Sequence, residues 1–188
     1  MDNRILFALQ TTGAGRRTAQ AEGLSILGVP ASEAIARKDL ARVRAIKDRF
    51  DAAAMAHDLP SALLAGIASR ESHIGASLRH GMGDRGYAFG IMQIDRRYHT
   101  IIMSGGPDSE THISQAAGIL AKKLAIMLLQ PPIWPPEWEL RGAVAAYNMG
   151  PKFVRTQTNM DAGSTGGDYS ADVWARARFF ASNVEGWK

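Results

Sequence analysis

Ser61-Ala62-Leu63-Leu64-Ala65-Gly66-Ile67-Ala68-Ser69-Arg70-Glu71-Ser72-His73 is the stretch on which the fold turns. Its spacing predicts a helix that sets Leu64, Ile67 and Glu71 at i, i+3 and i+7, on one face. Two members of that face are aliphatic and the third, closing the helix, is a carboxylic acid. A carboxyl group drawn into apolar surroundings loses hydration of its charged form, and its pKa rises. That is the requirement for a general acid working near neutral pH.

Moving outward, Asp58-Leu59-Pro60 separates this helix from a long helical stretch that Ser32 can cap, with Leu40, Val43, Phe50 and Ala54 as its apolar stripe. On the other side the pattern changes. Glycines recur at 75, 81, 83, 86 and 90, and alternating pieces such as Phe89–Ile94 predict a small sheet or hairpins. Asp84 and Asp95 lie in that segment as partner carboxylates for Glu71. Helices are expected from Thr111 or Ser114 to Gln130, where Pro131 stops the chain, then over Leu140–Met149, and after a Ser170 cap. The expected fold is mainly α, of the α+β kind: a helical domain with one small β region lining a cleft against the Glu71 helix. No repeat or linker divides the chain, so residues 1–188 read as one domain with 1–30 an irregular segment packed on it.

Hydrophobic residues make up 46% and charged residues 21% of the 188, ordinary for a globular protein. No apolar run approaches the ~20 residues that span a bilayer, so no membrane insertion is expected. Ile5–Leu9 is shorter than the ~7–15-residue core of a signal peptide. A mature secreted form, an added Met1 and export by another route all stay open, as does an intracellular location. The absence of cysteine excludes disulfides, thiol catalysis and thiolate metal sites. A net charge of +4 favours polyanions, but the basic residues are scattered and mixed with acids. They form neither the dense face nor the aromatic interleaving of a nucleic-acid binder.

Each candidate also has a plain structural reading. Glu71 could be a solvated helix end, at a place where the helix dipole disfavours negative charge. Asp84 and Asp95 suit turns, Gln93 and Tyr98 a sheet surface, and Tyr147-Asn148 a helix C-cap before Gly150. His73, His80, His99 and His112 lack the i, i+4 spacing of a zinc pair, and no metal or cofactor is expected. There is no Gly-x-Ser-x-Gly elbow for acyl transfer, and Gly13-x-Gly15 lacks the strand and Gly-Lys-Ser/Thr of a phosphate loop.

Taken together, the segments resemble the goose-type lysozymes. The resemblance rests on Thr11–Ala14, Glu22–Ser25, Ala65–Ile67, Ser69–His73, Gly83–Gly86, Phe89-Gly90, Met92-Gln93, Asp95–His99 and Ala146–Asn148. It continues through Met160-Asp161, Gly163, Thr165, Asp168-Tyr169 and Ala175–Ala177, in order from about Thr11 to Trp187.

The resemblance implies a lysozyme-like fold that hydrolyses the β-1,4 bond between N-acetylmuramic acid and N-acetylglucosamine with inversion. The expected partners are peptidoglycan, N-acetylglucosamine oligomers and the anionic bacterial wall, met by a secreted monomer. Glu71 matches the family's general acid, and Asp84 and Asp95 its water-holding carboxylates. His99, Tyr147, Asn148 and Gln93 match cleft residues that bind the sugar chain. Departures cluster around Asp84: Met82 stands where tryptophan is usual, and Tyr87-Ala88 where Asn-Gly is usual. A lytic transglycosylase, forming a 1,6-anhydro sugar with Glu71 alone, is a second reading, against which both aspartates argue. A non-catalytic peptidoglycan-binding protein is a third.

Overall fold

Helix α4 (Ser61–Ser72) lies at the centre of the molecule: nine of its twelve residues are buried, on every side. A helix apolar all round belongs to a core rather than a surface, so the single-face expectation understates it. In the computed structural model, which describes residues 1–129 and 132–188, the other helices pack around it. They are α1 (Arg16–Ala21), α2 (Gly28–Ala45), α3 (Lys47–His57), α5 (Glu110–Leu128), α6 (Pro136–Met149) and α7 (Tyr169–Asn183). Between α4 and α5 a three-stranded antiparallel sheet runs in the order β1 (Met82–Gly83), β2 (Ala88–Phe89), β3 (Ile94–Asp95). The architecture is therefore mainly helical with one small sheet, an α+β lysozyme-like fold.

The α4–α7 pair is the most extensive helix contact. Gly66 makes it possible: a Cβ there would sit 2.8 Å from the Val173 carbonyl oxygen and 3.1 Å from the Ala177 Cβ. One hydrophobic cluster runs from Leu6 to Trp187, with Leu63, Leu64 and Ile67 of α4 and Trp174 and Phe180 of α7 fully buried.

Several boundaries differ from the sequence expectation, and tertiary partners explain them. Residues 1–30 are not irregular: a 3-10 helix spans Asn3–Phe7, α1 comes next, and Leu6 and Leu9 are buried in the core. Ser32 does not cap α2, which begins four residues earlier and holds Pro30 in its first turn, where no N–H is needed. The Ser32 hydroxyl instead donates to Asp172 (2.7 Å) and accepts from the Ala14 N–H (2.9 Å). The expected single helix from Ser32 divides at Ile46 into α2 and α3. Ser109, not Thr111 or Ser114, caps α5 by accepting from the His112 N–H (3.2 Å). Helix α6 starts at Pro136 rather than Leu140, and α7 at Tyr169 because Asp161 takes both the Ser170 N–H and hydroxyl (2.7 Å each). The stop expected at Gln130 and Pro131 lies outside the described residues.

Candidate active site

Glu71 sits in the last turn of α4, and residues 73–75 turn the chain sharply away from the helix axis. His73 and Ile74 are both left-handed, at φ 52° each, and Gly75 has φ 89°. A β-branched residue in this conformation is strained, and the Ile74 N–H reaching back to the Ala68 carbonyl (3.2 Å) helps hold it. The chain then enters the sheet, which brings Asp84 and Asp95 to its near end. Met82 pairs with Phe89 and Ala88 with Asp95, so the turn after β1 lies beside the end of β3.

All seven sequence candidates, Glu71, Asp84, Gln93, Asp95, His99, Tyr147 and Asn148, line one cleft of about 840 Å³. Glu71 keeps only partial exposure there. Burial pushes its carboxyl up to about 7, against the opposing effects of a Tyr169 hydrogen bond and the nearby Arg70 charge. Tyr169 donates its hydroxyl to Glu71 Oε1. Tyr147, partly buried, donates to the Met92 carbonyl instead (2.8 Å). Burial beside Glu71 raises both phenols well above their ordinary value, so each stays a neutral donor.

The neighbours of Glu71 on α4 fasten it to other parts of the fold. The Arg70 guanidinium lies over the Tyr169 ring at 5.6 Å and pairs with Asp168 (3.0 Å) and Asp172 (2.5 Å). It also donates to the Thr165 carbonyl (2.9 Å), while the Thr165 N–H donates to Asn148 Oδ1 (2.9 Å), orienting that amide at the cleft wall. His73 reaches Glu22 (2.9 Å) and Asp39 (3.3 Å), and the Asp39 carboxylate raises its pKa. Asp172 further receives Arg176 (2.7 Å). Glu71 is thus a lone protonatable acid on a helix whose flanking cations already face carboxylates.

The opposite rim is charged. Arg97 hydrogen-bonds both Asp95 and Asp84, and its bond to Asp95 holds that carboxyl below the usual carboxylate range. Gln93, left-handed at φ 51°, donates to the Gly90 carbonyl (2.8 Å) and lies over Gly83, where a Cβ would meet its Oε1 at 1.9 Å. Burial and Lys123 lower the His99 pKa, so His99 is neutral at neutral pH. His112 belongs to the scaffold: buried and held down to about 4, it accepts the Met92 N–H (3.1 Å) beneath the loop. Among the described residues, no group of three or more His, Asp or Glu side chains is placed to hold a metal. No helix there is long and apolar enough to cross a membrane.

Sequence reasoning assigned no part to Tyr169, Arg97 or Arg70. Arg97 stands two residues after Asp95, and that proximity was a signal. Tyr169 is 98 residues from Glu71 and offered none beyond its place in a matching segment.

The family model described as Lysozyme g matches residues 6–184. A lysozyme g from Gallus gallus is 44% identical over 172 residues, covering 92% of this chain and 81% of that one. One from Struthio camelus is 40% identical over 172 residues, covering 92% and 83%. One from Cyprinus carpio is 40% identical over 174 residues, covering 93% of each.

Proposed function

Because the chain belongs to the lysozyme g family, we propose that its cleft hydrolyses peptidoglycan by an inverting mechanism with Glu71 as the general acid. The family makes it a glycoside hydrolase of the bacterial wall; the assignment of steps to residues is drawn from the cleft. The observation that carries it is the opposed protonation of two carboxyl groups lining one cleft. Glu71 is pushed up to about 7 while Asp95 is held down. The raised carboxyl is the acid of such a pair, and the two carboxylates bound by Arg97 supply the base.

Protonated Glu71 donates to the oxygen that leaves C1 of the N-acetylmuramic acid residue. Asp84 and Asp95, both hydrogen-bonded by Arg97, hold water on the opposite face of that sugar and accept its proton as it attacks. Inversion needs room for this water, which an acid and base about 6.5–9.5 Å apart provide. Tyr169 holds the acid in place through the bond to Oε1. Gln93, His99, Tyr147 and Asn148 form the neutral polar wall along which the acetamido and hydroxyl groups of the glycan lie. Lys123 and Lys152 in the same cleft suit the carboxylates that muramic acid and its peptide carry. An extracellular site of action and a monomeric state complete the reading.

The test is digestion of purified peptidoglycan by the wild type and Glu71→Gln, with mass analysis of the muropeptides. Hydrated reducing ends from the wild type, and none from Glu71→Gln, are expected. Anhydro ends move the reaction to transglycosylation, and unchanged turnover by Glu71→Gln removes the acid from Glu71.

A further inference from the structure

The two aspartates are not equivalent, and Arg97 makes the difference. Its Nε lies 2.9 Å from both oxygens of Asp95, its backbone N–H donates to Oδ1 (2.8 Å), and Nη2 donates to Oδ2 (2.5 Å). Both Asp95 oxygens are therefore engaged by one residue. Asp84 gives Arg97 only Oδ2 (2.8 Å), and among the described residues Oδ1 receives no bond. The Asp84 side chain is also the more open, 55% exposed against 22%.

Asp84 needs such a tether. It and Arg85 are left-handed, at φ 42° and 55°, in an exposed turn that has little to fix a side chain. Tyr87, at the end of that turn, lies under the same guanidinium at 4.6 Å, and Tyr98 flanks it at 6.0 Å. A planar guanidinium can stack on a ring and hold carboxylates in its fork at once, which an ammonium cannot.

We propose that Arg97 is a positioning residue that divides the aspartates, with Asp95 as its anchor and Asp84 as the general base that meets the attacking water. Each hydrogen bond donated to a carboxylate lowers its basicity. Asp95 carries several, and its pKa is lowered accordingly. Asp84 carries one and keeps an oxygen open to the cleft. The inference rests on Glu71 being the acid, and it splits the remaining work between two carboxylates that the proposed mechanism leaves together.

Azide rescue separates the roles. With the base carboxylate removed, azide attacks C1 from the water side and a C–N bond forms. The C1–O bond breaks, and the Glu71 proton goes to the departing oxygen. The expected results on a soluble N-acetylglucosamine oligomer are a loss of ~100-fold or more in Asp84→Ala and recovery of tenfold or more with azide. The product is the α-glycosyl azide. Asp95→Ala is impaired and gains nothing from azide. Arg97→Ala loses activity chiefly in kcat, with KM little changed, because Asp84 loses its tether. Arg97→Lys recovers part of kcat, with folding of each variant checked by circular dichroism. Rescue of Asp95→Ala, of both variants or of neither overturns the division, and so does a wild-type kcat in Arg97→Ala. A Glu71→Gln variant with full turnover overturns the acid assignment beneath it, a separate failure.

Discussion

Tyr169, the first residue of α7, donates its hydroxyl hydrogen to Oε1 of Glu71 in the last turn of α4. The bond favours the ionised carboxylate and so opposes the burial that raises the Glu71 pKa. Tyr169 therefore holds the acid in place while limiting how far its pKa climbs. Tyr169→Phe removes the donor and keeps the ring under Arg70. The basic limb of the pH–activity profile should move up by about one pH unit, matching ~1.5 kcal/mol for a hydrogen bond to a charged group. A limb that stays in place, or moves down, would mean that the phenol does not govern the acid.

Stability should track the same carboxyl. The folded protein holds the Glu71 proton up to about 7, whereas the ordinary value is 4.5. The folded state thus binds the proton more tightly, and stability falls as pH rises from about 4.5 to about 7. Glutamine cannot ionise. Glu71→Gln should match the wild type in denaturant stability at pH 4 and exceed it at pH 8 by on the order of 2–3 kcal/mol. The raised pKa of His73 adds a loss of stability in the same direction as pH rises, common to both proteins. Equal stabilities at pH 8 would show that the carboxyl is not strained by burial.

Asp172 is fully buried and receives Arg70 (2.5 Å), Arg176 (2.7 Å) and the Ser32 hydroxyl (2.7 Å). Asp172→Asn leaves two buried guanidinium groups facing a neutral amide. Breaking one side of a buried ion pair costs about 3–5 kcal/mol, and that range is expected here in urea unfolding. A loss below 1 kcal/mol would mean that Asp168 alone suffices for Arg70.

The parts legible in the sequence are those in which local pattern and tertiary need agree. The spacing of Leu64, Ile67 and Glu71 placed an acid at the end of an apolar helix, and the glycine-rich run after it marked the sheet and the turn carrying Asp84. Ser32 and Ser170 misled because a serine before a helical pattern favours a cap only while its hydroxyl is free. Here Asp172 and Asp161 compete for those groups, from 140 and 9 residues away. The Arg97 bridge could not be read from a linear chain, since it depends on strand register bringing Asp84 beside Asp95. Tyr169 depends on the most extensive helix contact, α4 with α7, which the sequence marks only by a glycine at 66.

That glycine gives a direct test of the packing. Gly66→Ala adds helix propensity worth ~1 kcal/mol, but the new methyl meets the Val173 carbonyl at 2.8 Å. Backbone on a buried helix cannot swing aside, so overpacking of up to ~3 kcal/mol outweighs the gain. A net destabilisation of about 2 kcal/mol is expected from thermal unfolding. Activity should also fall, because α4 and α7 carry Glu71 and Tyr169. An alanine variant as stable as the wild type would mean that the helices can separate without cost.

Gly83→Ala should behave differently although its clash is closer. The Cβ would meet Gln93 Oε1 at 1.9 Å, yet that atom ends a flexible side chain, and Gly83 has an ordinary extended φ of −127°. Gln93 can swing away and give up its bond to the Gly90 carbonyl, at little expense to the fold. The cost falls on the cleft instead, because the amide leaves the wall proposed to bind the glycan. We expect stability within ~1 kcal/mol of the wild type and a rise in KM for N-acetylglucosamine oligomers of roughly two- to tenfold, the worth of one hydrogen bond. An unchanged KM would take Gln93 out of substrate binding, while unfolding of the variant would make Gly83 a requirement of the sheet.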